Sequence, residues 1–244
     1  MIFDFEFAVE SFPQILSALP MTLLLTAVGV VISIVFGFLL TICRINKVPV
    51  LGKLASLYLL IIRGVPLMVQ LYFSFVAFPL MMQAAADALK IDTVVSVSPV
   101  LIAIAALACN YAAYMSEVIR SALMAVDKGQ TEAALAIGMN HVQAMRRIII
   151  PQAVALAIPS LGNTVIGMVK DTSLAYMVMV MELMGMAKKV AGSGLNYLET
   201  YVIAALIYWA VNIILEQLFR VWEKKASHFT SRTVVSVKRE EAGG

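Results

Sequence analysis

An all-α membrane protein with about five transmembrane helices is the fold class this sequence predicts, and three observations predict it. Of its 244 residues, 61% are hydrophobic and 14% charged, against roughly 45–50% and 25% in ordinary soluble domains. The apolar residues gather into runs of spanning length, with Lys and Arg placed between particular runs. A polar interruption from Thr131 to Pro151 separates two of those runs, and the rest of the chain is membrane-like. One membrane domain over residues 1–222, followed by a charged cytoplasmic tail over 223–244, uses up the length, so a soluble catalytic domain has no room.

The N-terminal stretch alternates Phe3, Phe5 and Phe7 with Asp4 and Glu6 and then carries Pro13 and Pro20. That pattern suits an arm lying at the interface rather than a span. Asp4, Glu6 and Glu10 without Lys or Arg reverse the n-region of a cleaved signal peptide, so the arm is expected to stay and to lie outside. Met21 to Cys43 supplies about 23 apolar residues, enough to cross roughly 30 Å of hydrocarbon. Gly29, Ser33 and Gly37 recur every four residues there, a stripe that permits close approach of another helix. Arg44, Lys47 and Lys53 mark the next loop as cytoplasmic.

A second span is expected from Leu54 to Leu80, containing Arg63, Gly64, Val65 and Pro66. An arginine inside a span needs a partner or a wet cavity, and Pro66 removes a helix hydrogen bond. Glu117 and a substrate carboxylate are both open as partners of Arg63; the pair with Glu117 is preferred, because a buried charge needs a permanent counter-charge. The loop 81–97, with Asp87, Lys90 and Asp92, is expected outside. The third span, Pro99 to Met124, carries Asn110, Tyr111, Tyr114, Ser116, Glu117 and Arg120, so one face must look into protein or water. Beyond the interruption, Ala153–Val169 and Leu174–Ala187 read as one crossing broken at 170–173, its second piece a short helix on the outer side. A last span covers Tyr201 to Phe219, which leaves the N-terminus outside and the C-terminus in the cytosol. Asn110, Asn163 and Glu216 are read first as helix ties, and Met177, Met179, Met181, Met184 and Met186 as packing. Cys43 and Cys109 lie in or beside apolar runs and make neither a disulfide framework nor a metal set.

Within the interruption, Asp127 with Gln130 starts a short helix in the manner of a capping box, and Gly138 allows a left-handed stop. Asn140 with Gln143 starts a second helix, expected to end at Pro151. Ala133 and Ala134 would give the knob a smooth exposed surface, and Glu132 a charge for a partner's arginine.

The spacing Glu132-Ala133-Ala134, three residues, Gly138, nine residues, Ile148-Ile149-Ile150-Pro151 resembles the signature loop of the permease subunits of bacterial ABC importers. It departs only at Ile150, where leucine is usual. Arg63-Gly64-Val65-Pro66-Leu67 resembles the Arg-Gly-Thr-Pro-Leu of the polar amino acid subfamily, the histidine, glutamine, arginine and cystine permeases, with Val65 the departure. The runs Asn110–Arg120, Leu161-Gly162-Asn163 and Lys170-Asp171-Thr172-Ser173-Leu174 resemble it as well. The resemblance implies a type I ABC importer permease fold in a bacterial cytoplasmic membrane. Loop 127–151 would then be the coupling helix, meeting a separate ATPase through Glu132, Ala133, Ala134, Gly138 and Pro151. Implied partners are two ATP-binding subunits, a second copy or homologous permease, an extracytoplasmic amino acid binding protein and membrane lipid, with no nucleic acid. No Gly-x-x-x-x-Gly-Lys-Ser/Thr occurs, so the chain is not expected to be an enzyme or to hold a cofactor, ATP and Mg being on the partner.

A zwitterionic cargo needs an anionic group for its ammonium and donors for its carboxylate. Asp171 offers the charge; Thr172, Ser173 and the free amides of a new helix start offer donors. Thr164, seven residues earlier, shares a helix face with Asp171, and Gly167 between them leaves room. Asn163 and Arg63 complete the candidate set. The resemblance assigns Asp171 to the amino group and Thr164 to side-chain selection; a neutral Thr164 argues against a cationic cargo, and cystine is among the cargos implied. The competing role for Asp171 is to pair with Lys170 or to cap the following helix. An intramembrane enzyme is poorly provided for, since His141 and His228 are the only histidines and neither His-Glu-x-x-His nor Gly-x-Ser-x-Gly occurs. A stand-alone ion-coupled amino acid carrier or channel is the remaining alternative, but the paired internal repeats common in such carriers are not evident.

Overall fold

The structure is a computed structural model that describes residues 3–91 and 96–241, with side chains through residue 226. It contains helices α1 (Phe5–Leu16), α2 (Leu19–Ile45), α3 (Leu51–Gly64), α4 (Leu67–Ala88), α5 (Pro99–Met124), α6 (Lys128–Ala136), α7 (His141–Ala144), α8 (Ile150–Asp171), α9 (Leu183–Gly194) and α10 (Tyr197–Glu241). A π-helical turn at Met145–Ile149 and a 3-10 helix at Thr172–Val178 join them. Among the described residues five helical stretches are long and apolar enough to cross a membrane, within Phe5–Ile45, Leu67–Ala88, Pro99–Ala125, His141–Val178 and Tyr197–Ala226. Asp92 of the expected outer loop lies outside the described residues.

Helix α5 is the centre of the bundle, packed on α2, α3, α4 and α8. Its closest neighbour is α2, and the small-residue stripe is the reason. Gly29, Ser33 and Gly37 are all buried, while Val31, Val35 and Leu39 on the other side of α2 are exposed. A β-carbon at Gly37 would lie 2.8 Å from the Met115 β-carbon and 2.9 Å from both the Ala112 carbonyl oxygen and the Ser116 nitrogen. One turn on, the Thr41 hydroxyl meets the Gly37 and Ser116 carbonyls and the Ser116 hydroxyl, at 2.8, 2.9 and 3.0 Å. Small residues thus let two backbones approach, and a hydroxyl pair satisfies itself in the seam.

The expected second span from Leu54 to Leu80 is two helices. Pro66 offers no N–H, and the residue before a proline is pushed out of the helical region; Val65 accordingly sits at φ −105°, ψ 131°. The Gln70 side chain repairs the break, its Nε2 donating to the Ile62 and Val65 carbonyls at 2.8 Å each. Its Oε1 accepts from Asn110 Nδ2 at 3.2 Å, so Asn110 is a helix tie, as expected.

The fourth crossing also differs from expectation at its far end. Rather than breaking at 170–173, α8 passes directly into the 3-10 helix, and the reversal comes at Met179, whose φ is 65°. The N-terminal arm is helical and packs through Ile15 against Leu183, Ala187 and Val190 of α9 and Ile203, Ala204 and Ile207 of α10. The Asp4 backbone N–H donates to Glu199 Oε1 at 2.9 Å, tying the arm to the start of α10. Glu182 is fully buried here, accepting from the Tyr208 hydroxyl and the Gly185 N–H. The expected loose tail is instead a continuation of α10 to Glu241; no Gly or Pro between 197 and 241 interrupts it.

Two outcomes test this packing. Gly37→Ala is expected to cost about 1–3 kcal/mol and lower the Tm in detergent, because its neighbours are mostly backbone. Gly192→Ala, where a β-carbon meets nothing within 4 Å, should be neutral or gain up to about 1 kcal/mol of helix propensity. For Glu182, burial raises the carboxyl above its ordinary value, outweighing the hydrogen bonds from Tyr208 and the backbone. The folded protein therefore holds this proton more tightly than the unfolded chain does. That contribution is fully present below the ordinary glutamate value of about 4.3 and is lost as pH rises through the folded-state value. A Tm series in detergent should fall with rising pH across that window, with a shallower slope in Glu182→Gln.

Candidate functional site

Two constellations stand out, a knob between the third and fourth crossings and a polar cavity among the spans. Asp127 caps α6 by accepting from the Gly129 N–H at 2.7 Å. Gln130 does not complete a capping box; its Oε1 instead accepts from Gln152 Nε2 at 3.3 Å, tying α6 to α8. Gly138 takes φ 86° with no neighbour within 4 Å of a would-be β-carbon, so its role is conformational. Asn140 and Gln143 form a complete capping box for α7.

Glu132 and Ala133 are exposed, as expected of a docking face, but Ala134 is buried and packs inward. The apolar surface of the knob comes instead from Ile137, 75% exposed, and Val142, 74% exposed, which the sequence reading did not single out. Their signal was present as apolar residues in the most polar part of the chain. Pro151 does not end the second helix. Helix α7 runs through the π-helical turn into α8, and that wider turn accommodates the missing N–H and the ring at position 151. Beneath the knob, Glu117 pairs with Arg44 at 2.5 Å and with Arg120 at 2.9 Å.

The preferred partnership of Arg63 with Glu117 is therefore not the one observed, since two other arginines occupy Glu117. Arg63 lies instead in a cavity of ≈ 670 Å³ lined by Gly64, Val65, Pro66 and Leu67 at the α3–α4 break, Asn110, Tyr111 and Tyr114 of α5, and Asn163, Thr164, Gly167 and Asp171 of α8. Asp171 and Thr164 do share a face of α8, as their spacing predicts. Asp171 neither pairs with Lys170 nor caps the 3-10 helix; its Oδ2 accepts from the Tyr111 hydroxyl at 2.7 Å. Among the described residues neither Arg63 nor Asp171 enters an ion pair.

Thr172 and Ser173 do not line the cavity. Thr172 is fully buried and donates its hydroxyl to the Val169 carbonyl at 2.6 Å. Because the chain stays helical through 171–173, no new helix N-terminus opens there. The helix start at the cavity is that of α4, where Leu67 follows the proline break. Among the described residues no group of three or more His, Cys, Asp or Glu side chains is placed to hold a metal.

Residues 29–228 match the family model described as the binding-protein-dependent transport system inner membrane component. The chain is 40% identical over 224 residues to the probable amino-acid permease protein YxeN of Bacillus subtilis, covering 92% of this chain and 96% of that protein. It is 38% identical to the L-cystine transport system permease protein TcyL of the same organism, over 95% of each chain. A crystal structure of an amino acid ABC transporter with histidines superposes with a TM-score of 0.81 at 33% identity, covering 92% of this chain and all of that one. The methionine transporter MetNI, at 20% identity and a TM-score of 0.63, shares the fold. The chain belongs to the binding-protein-dependent transport system inner membrane component family and is the non-catalytic, multi-pass permease subunit of an amino acid-type ABC importer, with no cofactor of its own.

Proposed function

We propose that the cavity between the α3–α4 break, α5 and α8 is the point at which this permease holds a polar amino acid in transit. One observation carries the reading: Arg63 and Asp171 face the same cavity and neither enters an ion pair among the described residues. Unpaired opposite charges at membrane depth are expensive, and a zwitterion neutralises both at once. Asp171 takes the ammonium. Arg63, helped by the first amides of α4, takes the carboxylate. Asn163 and Thr164 face the cargo side chain; both are neutral, which suits an uncharged polar side chain. L-Cystine is the cargo to test first, since relatives at 38% and 35% identity are named L-cystine permeases.

The knob bearing Glu132, Ala133, Ile137 and Val142 docks one of two ATP-binding subunits. A second permease, identical or homologous, covers the open side of the cavity, and an external binding protein delivers the cargo. The N-terminus lies outside and the opposite end of α2 in the cytosol, a reading supported by the acidic arm and by Arg44, Lys47 and Lys53.

The test is a complex of permease, ATPase and binding protein in liposomes. Asp171→Asn should lower uptake and cargo-stimulated ATPase activity by about tenfold or more while leaving subunit association intact; undiminished uptake overturns the assignment. Glu132→Ala should weaken co-purification of the ATPase and leave the Tm of the isolated permease unchanged. Titrating L-cystine, L-glutamine, L-histidine and L-arginine against the complex identifies the cargo.

A further inference from the structure

We infer that Tyr111 and Tyr114 are positioning residues that hold Asp171 and Arg63 apart, so that both charges stay available to a zwitterion; the inference rests on the reading of the cavity as an amino acid site. Opposite charges facing one cavity attract each other. Left free, they would close on each other and cancel the site. The two tyrosines stand three residues apart on α5 and so project from one helix face, with ring centroids 5.8 Å apart.

Each tyrosine holds one of the charges. The Tyr111 hydroxyl donates to Asp171 Oδ2 at 2.7 Å, which leaves the other carboxylate oxygen for an ammonium. The Arg63 guanidinium lies 5.7 Å from the centroid of the Tyr114 ring, within the range of cation–π attraction. The order along the cavity wall is therefore Asp171, Tyr111, Tyr114, Arg63. Gly167 makes the first link possible. A β-carbon there would lie 3.2 Å from the Tyr111 hydroxyl oxygen, so a larger residue would crowd that oxygen where it meets Asp171. Tyr111 is itself buried, which leaves its hydroxyl little choice of partner.

The experiment measures binding to the assembled permease–ATPase complex of three ligands. They are the tightest-binding member of the four-amino-acid panel, its decarboxylated amine and its deaminated acid; for L-cystine the last two are cystamine and dithiodipropionate. Tyr111→Phe frees Asp171 to close on Arg63, and Tyr114→Leu frees Arg63 to close on Asp171, so each should weaken the amino acid, the amine and the acid together by about tenfold. In an Asp171→Asn background nothing is left for Arg63 to close on, so adding Tyr111→Phe there should leave binding of the acid unchanged. A purely structural role would weaken the acid in that background too; that result, or no change in either tyrosine variant of the native chain, overturns the inference. Asp171→Asn separates the two levels. If it too leaves the amino acid's affinity unchanged, the cavity reading fails; if it abolishes binding while both tyrosine variants bind normally, only the spacer inference fails. Should Tyr111→Phe not assemble, Gly167→Ala perturbs the same hydrogen bond and must reproduce its effect in both backgrounds.

Discussion

The backbone contact between α2 and α5 is the constraint on which the rest of this permease depends. A side chain at position 37 would collide with Met115, Ala112 and Ser116, and in hydrocarbon no hydrophobic effect drives helices together, so close packing must do so. Seated in that way, α5 presents Asn110, Tyr111 and Tyr114 to the cavity and Glu117 and Arg120 to the Arg44 cluster. The helix at the centre of the bundle is thus also the one whose polar face lines the cavity and meets the arginine cluster.

A polar cavity at membrane depth conflicts with the rule that backbone groups in hydrocarbon be satisfied internally. The α3–α4 break creates that problem and Gln70 resolves it, by capping two carbonyls left without partners near the proline. Irregular backbone is tolerated where it lines a cavity rather than facing lipid, and Gly64 to Leu67 line this one. A helix start in the cavity is the product of one proline.

Knob and cavity are also mechanically joined. From His141 to Asp171 the chain is helical throughout, the π-helical turn absorbing Pro151, so the knob stands at one end of a rod whose other end carries Thr164 and Asp171. The Gln130–Gln152 bond fixes α6 to the same rod. Knob and cavity wall are thus parts of one continuous helical segment.

Much of this was legible in the amino-acid sequence because it depends on local composition and spacing. Spanning runs follow from hydropathy, the stripe at Gly29, Ser33 and Gly37 from helical periodicity, and the shared face of Thr164 and Asp171 from a seven-residue separation. The knob's glycine stop and second capping box are likewise short-range effects, as is the family resemblance carried by Glu132 to Pro151. Tertiary structure decided the partners. Three arginines and one glutamate are within plausible reach on paper, and only packing gives Glu117 to Arg44 and Arg120 and leaves Arg63 to the cavity. The same holds for Tyr111 with Asp171 and for Gln70 with the proline break, pairs 60 and 5 residues apart. Thr172 looked like a ligand and proved buried, because the chain continued as a 3-10 helix where a break was expected. Periodicity determines which face of a helix is polar; which neighbour meets that face depends on how the helices rotate and cross, and that is decided by packing across the whole bundle.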